Sequence, residues 1–360
     1  MPDSPLSGSM QAGSALVLGV ESSCDETAAA VVSGDLRVLS SVVASQVSVH
    51  APFGGVVPEI ASRSHLAAVI PVIEAALADA DLEPADLAGV AVTRGPGLIG
   101  ALLVGVQTAK AFAWVHGLPL VGVNHLEGHL TAPRLVADAA DAARPRPELP
   151  YVALLVSGGH TAVYVVRGPG QTELIGATRD DAAGEALDKF ARMAGLGYPG
   201  GPVVDRLATT GRPDAVHLPR AMRGRGPDFS FSGLKTAARN HLEAHGVPPR
   251  DSQRMADLCA SLQEAVADIL VEKSLAACAA AGVHRLVLTG GVAANSRLRS
   301  LAAQRGEAAG VQVFAPPRSL CTDNAAMIAA AGHPLLADLD QVPADRRGLS
   351  VDARPTLPVG

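Results

Sequence analysis

Leu16-Val-Leu-Gly-Val20, the turn Glu21-Ser-Ser-Cys-Asp-Glu-Thr27 and the run Ala28-Ala-Ala-Val-Val32 decide how this chain folds. An apolar run, a short polar turn and a returning apolar run predict a β-hairpin. The same plan recurs at Tyr151–Val156, Ser157-Gly-Gly-His-Thr161 and Ala162–Val166. The repeat is weak in letters but clear in layout, and predicts an α/β chain of two lobes sharing one topology, each offering a hairpin turn to a common cleft. The first turn carries more hydroxyls and carboxylates than a reversal requires. Its amides suit a phosphate, and its acids suit a cation or a water. In the second turn, Gly158 and Gly159 let backbone amides approach a phosphate without a Cβ in the way. Taken alone, that turn is better read as a plain hairpin bend.

The 360 residues exceed what one core usually holds, so two lobes are also the expectation from length. Residues 138–150, with three prolines, read as the linker between a first lobe (15–150) and a second (from 151). Residues 1–14, rich in Ser, Pro and Gly, read as a flexible tail and not as a secretion signal. No apolar run approaches the length a membrane helix needs, so a soluble, cytoplasmic protein with no membrane partner is expected. Cys24, Cys259, Cys278 and Cys321 show no paired short spacing, which argues against a disulfide framework or a zinc knuckle. A net charge of −6 disfavours indiscriminate nucleic-acid binding. One basic segment, Arg206 to Arg254, is the candidate path for a nucleic acid, its bland alternative being an ordinary arginine-rich surface.

Further along, Pro58 opens a helix towards Ala80, with Ile60, Leu66, Val69, Ile70, Ile73 and Leu77 at helical spacing. A second long helix is expected from Ser252 to Ala281, stopped by Gly282. Thr289-Gly-Gly-Val-Ala-Ala-Asn295 joins a strand to a helix, a place where a base or ribose can lie against exposed backbone. Cys321-Thr-Asp-Asn324 begins a last helix, with Thr322 as its N-cap, Asp323 in its first turn and Gly332 as its end. An acid there is sufficiently explained by the helix dipole.

In Val123-Asn-His-Leu-Glu-Gly-His-Leu130, a strand gives way to a helix that carries His125 and His129 one turn apart. Residues four apart lie on one face, so both imidazoles can address one metal ion. An isolated pair at this spacing is more often incidental, and a metal reading needs a carboxylate from elsewhere.

VESSCDET, HLEGH, VSGGHT, TGGVAAN and CTDNAAMIA, together with FGGVVPE, DDAAGEALDK, YPGGP and DFSFSGLKT, occur in an order that closely resembles the universal tRNA threonylcarbamoyladenosine transferase family. The likeness runs from Leu16 to Pro355. It implies the two-lobed fold of actin, the heat-shock chaperones and the sugar kinases, with a nucleotide cleft between lobes. The second lobe then ends near residue 322, and residues 323–360 return to the first. The implied reaction moves a threonylcarbamoyl group from threonylcarbamoyl-AMP to N6 of the adenosine beside the anticodon, in tRNAs reading codons that begin with A, releasing AMP.

By the same resemblance, His125, His129 and Asp323 are ligands of one divalent metal, ferrous iron favoured and zinc possible. Leu155, Val156, Ser157, Gly158 and Gly159 hold the adenine nucleotide. Asp188, Gly201, Asp205 and Asn295 hold ribose and base. The first hairpin turn faces the reacting group, and from that place Glu26 or Asp25 is the candidate catalytic base. Implied partners are tRNA, a paralogue of the same fold that docks on the first lobe, and a small ATPase. A separate synthase supplies the donor. A metalloprotease is the weaker alternative: H-E-x-x-H places the base directly after the first histidine, where Leu126 stands, and Glu127 is rotated by about 100°. A non-catalytic relative of the same fold would lack the histidines and the aspartate, all present here.

Overall fold

The computed structural model describes residues 15–339, 348 and 350–359; the tail expected over 1–14 lies outside them. Its strands are β1 (Leu16–Glu21), β2 (Glu26–Ser33), β3 (Val38–Ser45), β4 (Gly89–Gly95), β5 (Leu120–Asn124), β6 (Tyr151–Val156), β7 (Thr161–Gly168), β8 (Gln171–Ala177), β9 (Arg285–Thr289) and β10 (Gln312–Phe314). The helices are α1 (Val47–His50), α2 (Pro58–Asp79), α3 (Ile99–His116), α4 (His125–Thr131), α5 (Ala183–Met193), α6 (Gly200–Ala208), α7 (Ser232–His245), α8 (Gln253–Ala281), α9 (Ser296–Ala308) and α10 (Ala325–Asp338).

Two five-stranded sheets form, ordered β3-β2-β1-β4-β5 and β8-β7-β6-β9-β10. The orders match strand for strand. In each, an antiparallel meander of three strands continues into two parallel ones. The duplicated hairpins are therefore the first two strands of two copies of one topology.

Both faces of the first sheet are covered, which is why its strands read as nearly unbroken apolar runs. Leu18, Val20, Ala29 and Val31 pack against Val69 and Ile73 of α2 and Val106 of α3. Val17, Ala28, Ala30 and Val32 face Met327 and Ile328 of α10. In the second sheet, Val152, Leu154, Val163 and Val165 meet the α5–α9 layer. Its other face, with Tyr151, Leu155, Tyr164 and Val287, receives Leu126 and Leu130 of α4. Helix α4 thus grows from the first sheet and wedges against the second.

The structure corrects three expectations. Gly332 does not end the last helix, which continues through Pro334 to Asp338. A Cβ on Gly332 would stand 2.4 Å from that of Ala91, so the glycine serves close packing of α10 on β4. The N-cap of α10 is Asn324, whose side chain accepts from Met327 N, so Asp323 stands ahead of the helix. Finally, α2 and α3 are long and apolar enough to cross a membrane by length and composition. Alanine, valine and isoleucine with few charges give them that character, and both lie against the first sheet.

Candidate functional site

Asn124, the last residue of β5, caps α4 by accepting from Leu126 N at 2.9 Å, and thereby starts the helix at His125. Two carbonyls of α4 are tied to the second lobe. The Thr289 hydroxyl donates to His129 O at 2.6 Å, and the Tyr151 hydroxyl to Leu130 O at 2.8 Å. The histidine helix is fixed from both sides.

Asp323 arrives from the start of α10. Its Oδ1 lies 3.1 Å from His129 Nε2 and 3.6 Å from His125 Nε2. One ligand atom from each of the three residues lies within 4.8 Å of the others. Ligand atoms about 2.0–2.2 Å from a tetrahedral ion are themselves about 3.3–3.6 Å apart, so the two separations from Asp323 Oδ1 are close to those of a shared ion. The donor set, two imidazoles and one carboxylate with positions left open, fits a catalytic metal. Spacing alone could not bring Asp323, 194 residues beyond His129, to this point.

Glu21, fully buried at the end of β1, stands behind the histidines. Its Oε2 lies 3.0 Å from His125 Nδ1 and accepts from the Thr93 hydroxyl at 2.6 Å, while its Oε1 accepts from Ser23 N. A carboxylate only accepts, so His125 donates through Nδ1 and turns Nε2 towards Asp323. Burial acts against a charged His125, but Glu21 and Asp323 outweigh it and hold the imidazole protonated up to about 9. Glu21 itself, despite burial, is lowered by His125. His160 completes this side from the second lobe. Burial, then the neighbouring His125 and His129, lowers it to about 4. The sequence reading gave roles to neither Glu21 nor His160. Their signal was the polar crowding of the two hairpin turns, which names no individual side chain.

Glu21 from the first turn and His160 from the second both stand by the histidines, so the two turns approach each other at this centre. Leu155 and Val156 have no exposed surface, backbone included, so they support the turn from beneath. Gly158 and Gly159 are exposed, with no atom within 4 Å of where a Cβ would sit. The backbone of Gly290, at φ +89°, passes so close to Val156 that a Cβ would lie 2.5 Å from its carbonyl oxygen. Both glycine turns therefore border one space. Gly201 also faces open space.

Three predicted binding residues have structural partners. Asp188 Oδ1 accepts from Gly200 N at 2.7 Å and Gly201 N at 3.3 Å, at the start of α6. Asp205 accepts from Ser296 N and from the Ser296 hydroxyl at 2.6 Å, at the start of α9. Asn295 caps α9 through Leu298 N and donates to Gln263 Oε1 at 3.0 Å.

Burial first, then the charges of Asp25, Asp188 and Glu26, push Tyr198 upward, and Asp25 also acts to raise Asp188. Burial first, then Asp25, raises Glu26 to about 9. A carboxyl raised in the folded state costs stability above its unfolded value near 4.5. Glu26→Gln should therefore melt a few degrees above wild type at pH 8 and level with it at pH 4, by calorimetry across pH.

The basic segment is partly neutralised. Arg212 pairs with Asp257, Arg220 and Arg223 with Asp268, and Arg223 also with Glu272. Arg206, Arg225 and Arg250 are exposed and make no ion pair with a described residue.

The family model for tRNA N6-adenosine threonylcarbamoyltransferase matches residues 37–330. The chain belongs to that family. A threonylcarbamoyltransferase of Anaeromyxobacter dehalogenans is 56% identical over 89% of this chain and 94% of its own length. One from Sorangium cellulosum is 54% identical over 95% and 97%. Among solved structures, component A of (R)-2-hydroxyglutaryl-CoA dehydratase from Acidaminococcus fermentans covers 90% of this chain and all of its own, at TM-score 0.52 and 14% identity. Full-length HypF in a phosphate- and nucleotide-bound form covers 92% of this chain and 47% of its own, at TM-score 0.58 and 12% identity. At such identities these two speak for the two-lobed fold of this threonylcarbamoyltransferase family member, and for the fold alone.

Proposed function

We propose that this chain transfers the threonylcarbamoyl group of threonylcarbamoyl-AMP to N6 of the adenosine beside the anticodon, in tRNAs reading codons that begin with A. The observation that carries this reading is the meeting of His125, His129 and Asp323 at a cleft bordered by both hairpin turns, in a chain of this family. The adenosine N6 attacks the carbamoyl carbonyl carbon, the bond from that carbon to the phosphate oxygen breaks, and AMP leaves. An exocyclic amine conjugated with its ring is a poor nucleophile, so alignment with an activated donor supplies most of the rate, and a base accepts the N6 proton late.

Asp25 and Glu26 are our candidates for that base. Burial, then the charge of Asp25, raises Glu26 to about 9, so Glu26 keeps its proton at neutral pH in the free protein. The backbone of Ser157, Gly158 and Gly159 cradles the nucleotide phosphate, with Leu155 and Val156 supporting it from beneath. Gly201 and the free oxygen of Asp188 face the ribose, and Asp205 and Asn295 set the loops around the base. His125, His129 and Asp323 would hold the metal, ferrous iron ahead of zinc. When bound, it supplies Lewis-acid polarisation of donor oxygens.

Residues 15–150 and 151–322 form the two lobes of this reading, with the described residues from 323 onward returning to the first. A paralogue of the same fold docks on the outer faces of α2 and α3, where Leu66, Ile70 and Trp114 are exposed. A small ATPase and a donor synthase complete the cytoplasmic system. The deciding experiment mixes the chain with those partners, the donor and unmodified tRNA, with and without chelator, and analyses the nucleosides by mass spectrometry. Absence of threonylcarbamoyladenosine from the complete mixture rejects the reading.

For tRNA, Arg206→Glu combined with Arg225→Glu should weaken binding and lower the slope of log affinity against log salt by about one for each phosphate no longer neutralised. Arg223 is a poor probe, because reversing it strands Asp268 and Glu272. Unchanged binding across a salt titration moves the tRNA path elsewhere.

A further inference from the structure

The turn that presents Asp25 and Glu26 has its successive carbonyls held by separate segments. Leu98 N, just before α3, donates to Ser23 O at 2.8 Å, and Gln46 N donates to Asp25 O at 2.9 Å. Between them, Cys24 O takes its hydrogen bond from a side chain, His65 Nε2 on α2, at 3.0 Å. The other nitrogen of that ring lies 2.8 Å from the Thr27 hydroxyl. His65 and Thr27 have no exposed surface. A carbonyl oxygen only accepts, so His65 carries its proton on Nε2, and its bare Nδ1 accepts from Thr27. One neutral imidazole grips the turn on both sides of Asp25 and Glu26.

We propose that His65 is a positioning residue for the proton-accepting turn: it fixes the Cys24–Thr27 backbone so that Asp25 and Glu26 face the second lobe, without touching substrate itself. This rests on the reading of that turn as the base. It assigns to α2 a task separate from packing on the sheet. The next residue on the helix, Leu66, is 66% exposed, so the grip sits directly beneath the outer face of the lobe. An apolar residue at 65 would leave two buried polar groups unpaired and free the turn to choose another path.

Cys24 gives a readout independent of activity, being the only cysteine of the four that is not buried. In His65→Leu, iodoacetamide should alkylate Cys24 about 10-fold faster, as local opening exposes it, with Cys259, Cys278 and Cys321 as internal controls by peptide mapping. Transfer to tRNA should fall at least ~10-fold, since a misplacement of about 1 Å costs up to 10²-fold. Metal affinity should stay at the wild-type value, because α4 and α10 are untouched. His65→Gln, whose amide can both donate to Cys24 O and accept from Thr27, should recover most of both losses. Where His65→Leu fails to fold, Thr27→Val removes the second contact isosterically and should move both readouts in the same direction. Wild-type Cys24 labelling in these variants overturns the proposal, and so does a glutamine as impaired as leucine. Should the wild-type protein transfer nothing, the functional reading falls, while Cys24 labelling still decides the role of His65.

Discussion

His129→Ala and Asp323→Ala should each strip the protein of its metal and, with it, of transfer activity. Groups that only orient a metal ligand typically cost 10–100-fold in affinity when changed, so loss of a ligand itself should cost more than about 100-fold. The three ligands come from two places far apart in sequence, α4 and the residue before the N-cap of α10. Their effects should therefore not be equal. His129 is fully buried and pinned through its carbonyl by Thr289, so its removal leaves a hole that no neighbour fills. Asp323 stands on the irregular segment ahead of α10, and Asp323→Glu should retain measurable binding where Asp323→Ala does not. Cobalt titration followed by visible absorption reads affinity without reference to catalysis, and nucleoside mass spectrometry reads transfer. The exposed His245→Ala is the control. Wild-type affinity in His129→Ala would sink the assignment of the centre.

How much of this was legible beforehand depended on the distance over which each signal acts. Hairpins and helices with strong periodicity, such as α8 from its Ser252 cap to Gly282 at φ +64°, are local and were readable. Strands β3 and β8 escaped because they are sheet edges. Their outward residues mix Leu39, Val43 and Leu174 with Ser41, Ser45, Gln171 and Glu173, so neither strand shows a clean apolar–polar alternation. Gly332 resembles a helix stop but is a contact with Ala91, a residue more than 200 positions away. In Cys321-Thr-Asp-Asn324 three residues are competent caps. Packing of Asp323 against the histidines, not propensity, passes the cap to Asn324. Likeness assigns Asp205 and Asn295 to ribose and base, and their side chains also close loops in the second lobe, a task no local pattern announces. Glu21 was invisible for the opposite reason. It stands in a crowd of acids and hydroxyls, and only the sheet brings it under His125, 104 residues on.

That hidden carboxylate carries the second large effect. In the metal-free protein Glu21 keeps His125 protonated up to about 9, and a metal binds only the neutral imidazole, so uptake at neutral pH must expel a proton. The sign follows: apparent affinity should rise about tenfold per pH unit between pH 7 and 9, then level off. Glu21→Gln removes the charge that holds the proton and also the strong acceptor that orients the ring. Glutamine has one acceptor oxygen for the three donors His125, Thr93 and Ser23 that the carboxylate satisfies. The variant should bind metal with little pH dependence above pH 7. At pH 9 it should be weaker than wild type by about 10–100-fold, as lost ligand orientation usually costs. At pH 7 the gap should narrow, because wild type alone still competes with the proton. A crossing or converging pair of affinity curves is thus the signature of Glu21 acting through His125. Two parallel curves would mean that Glu21 supports the fold of the turn and nothing at the metal. The same titration separates the carboxylates, for Asp25→Asn alters the far side of the turn and should leave both slope and affinity at the wild-type values.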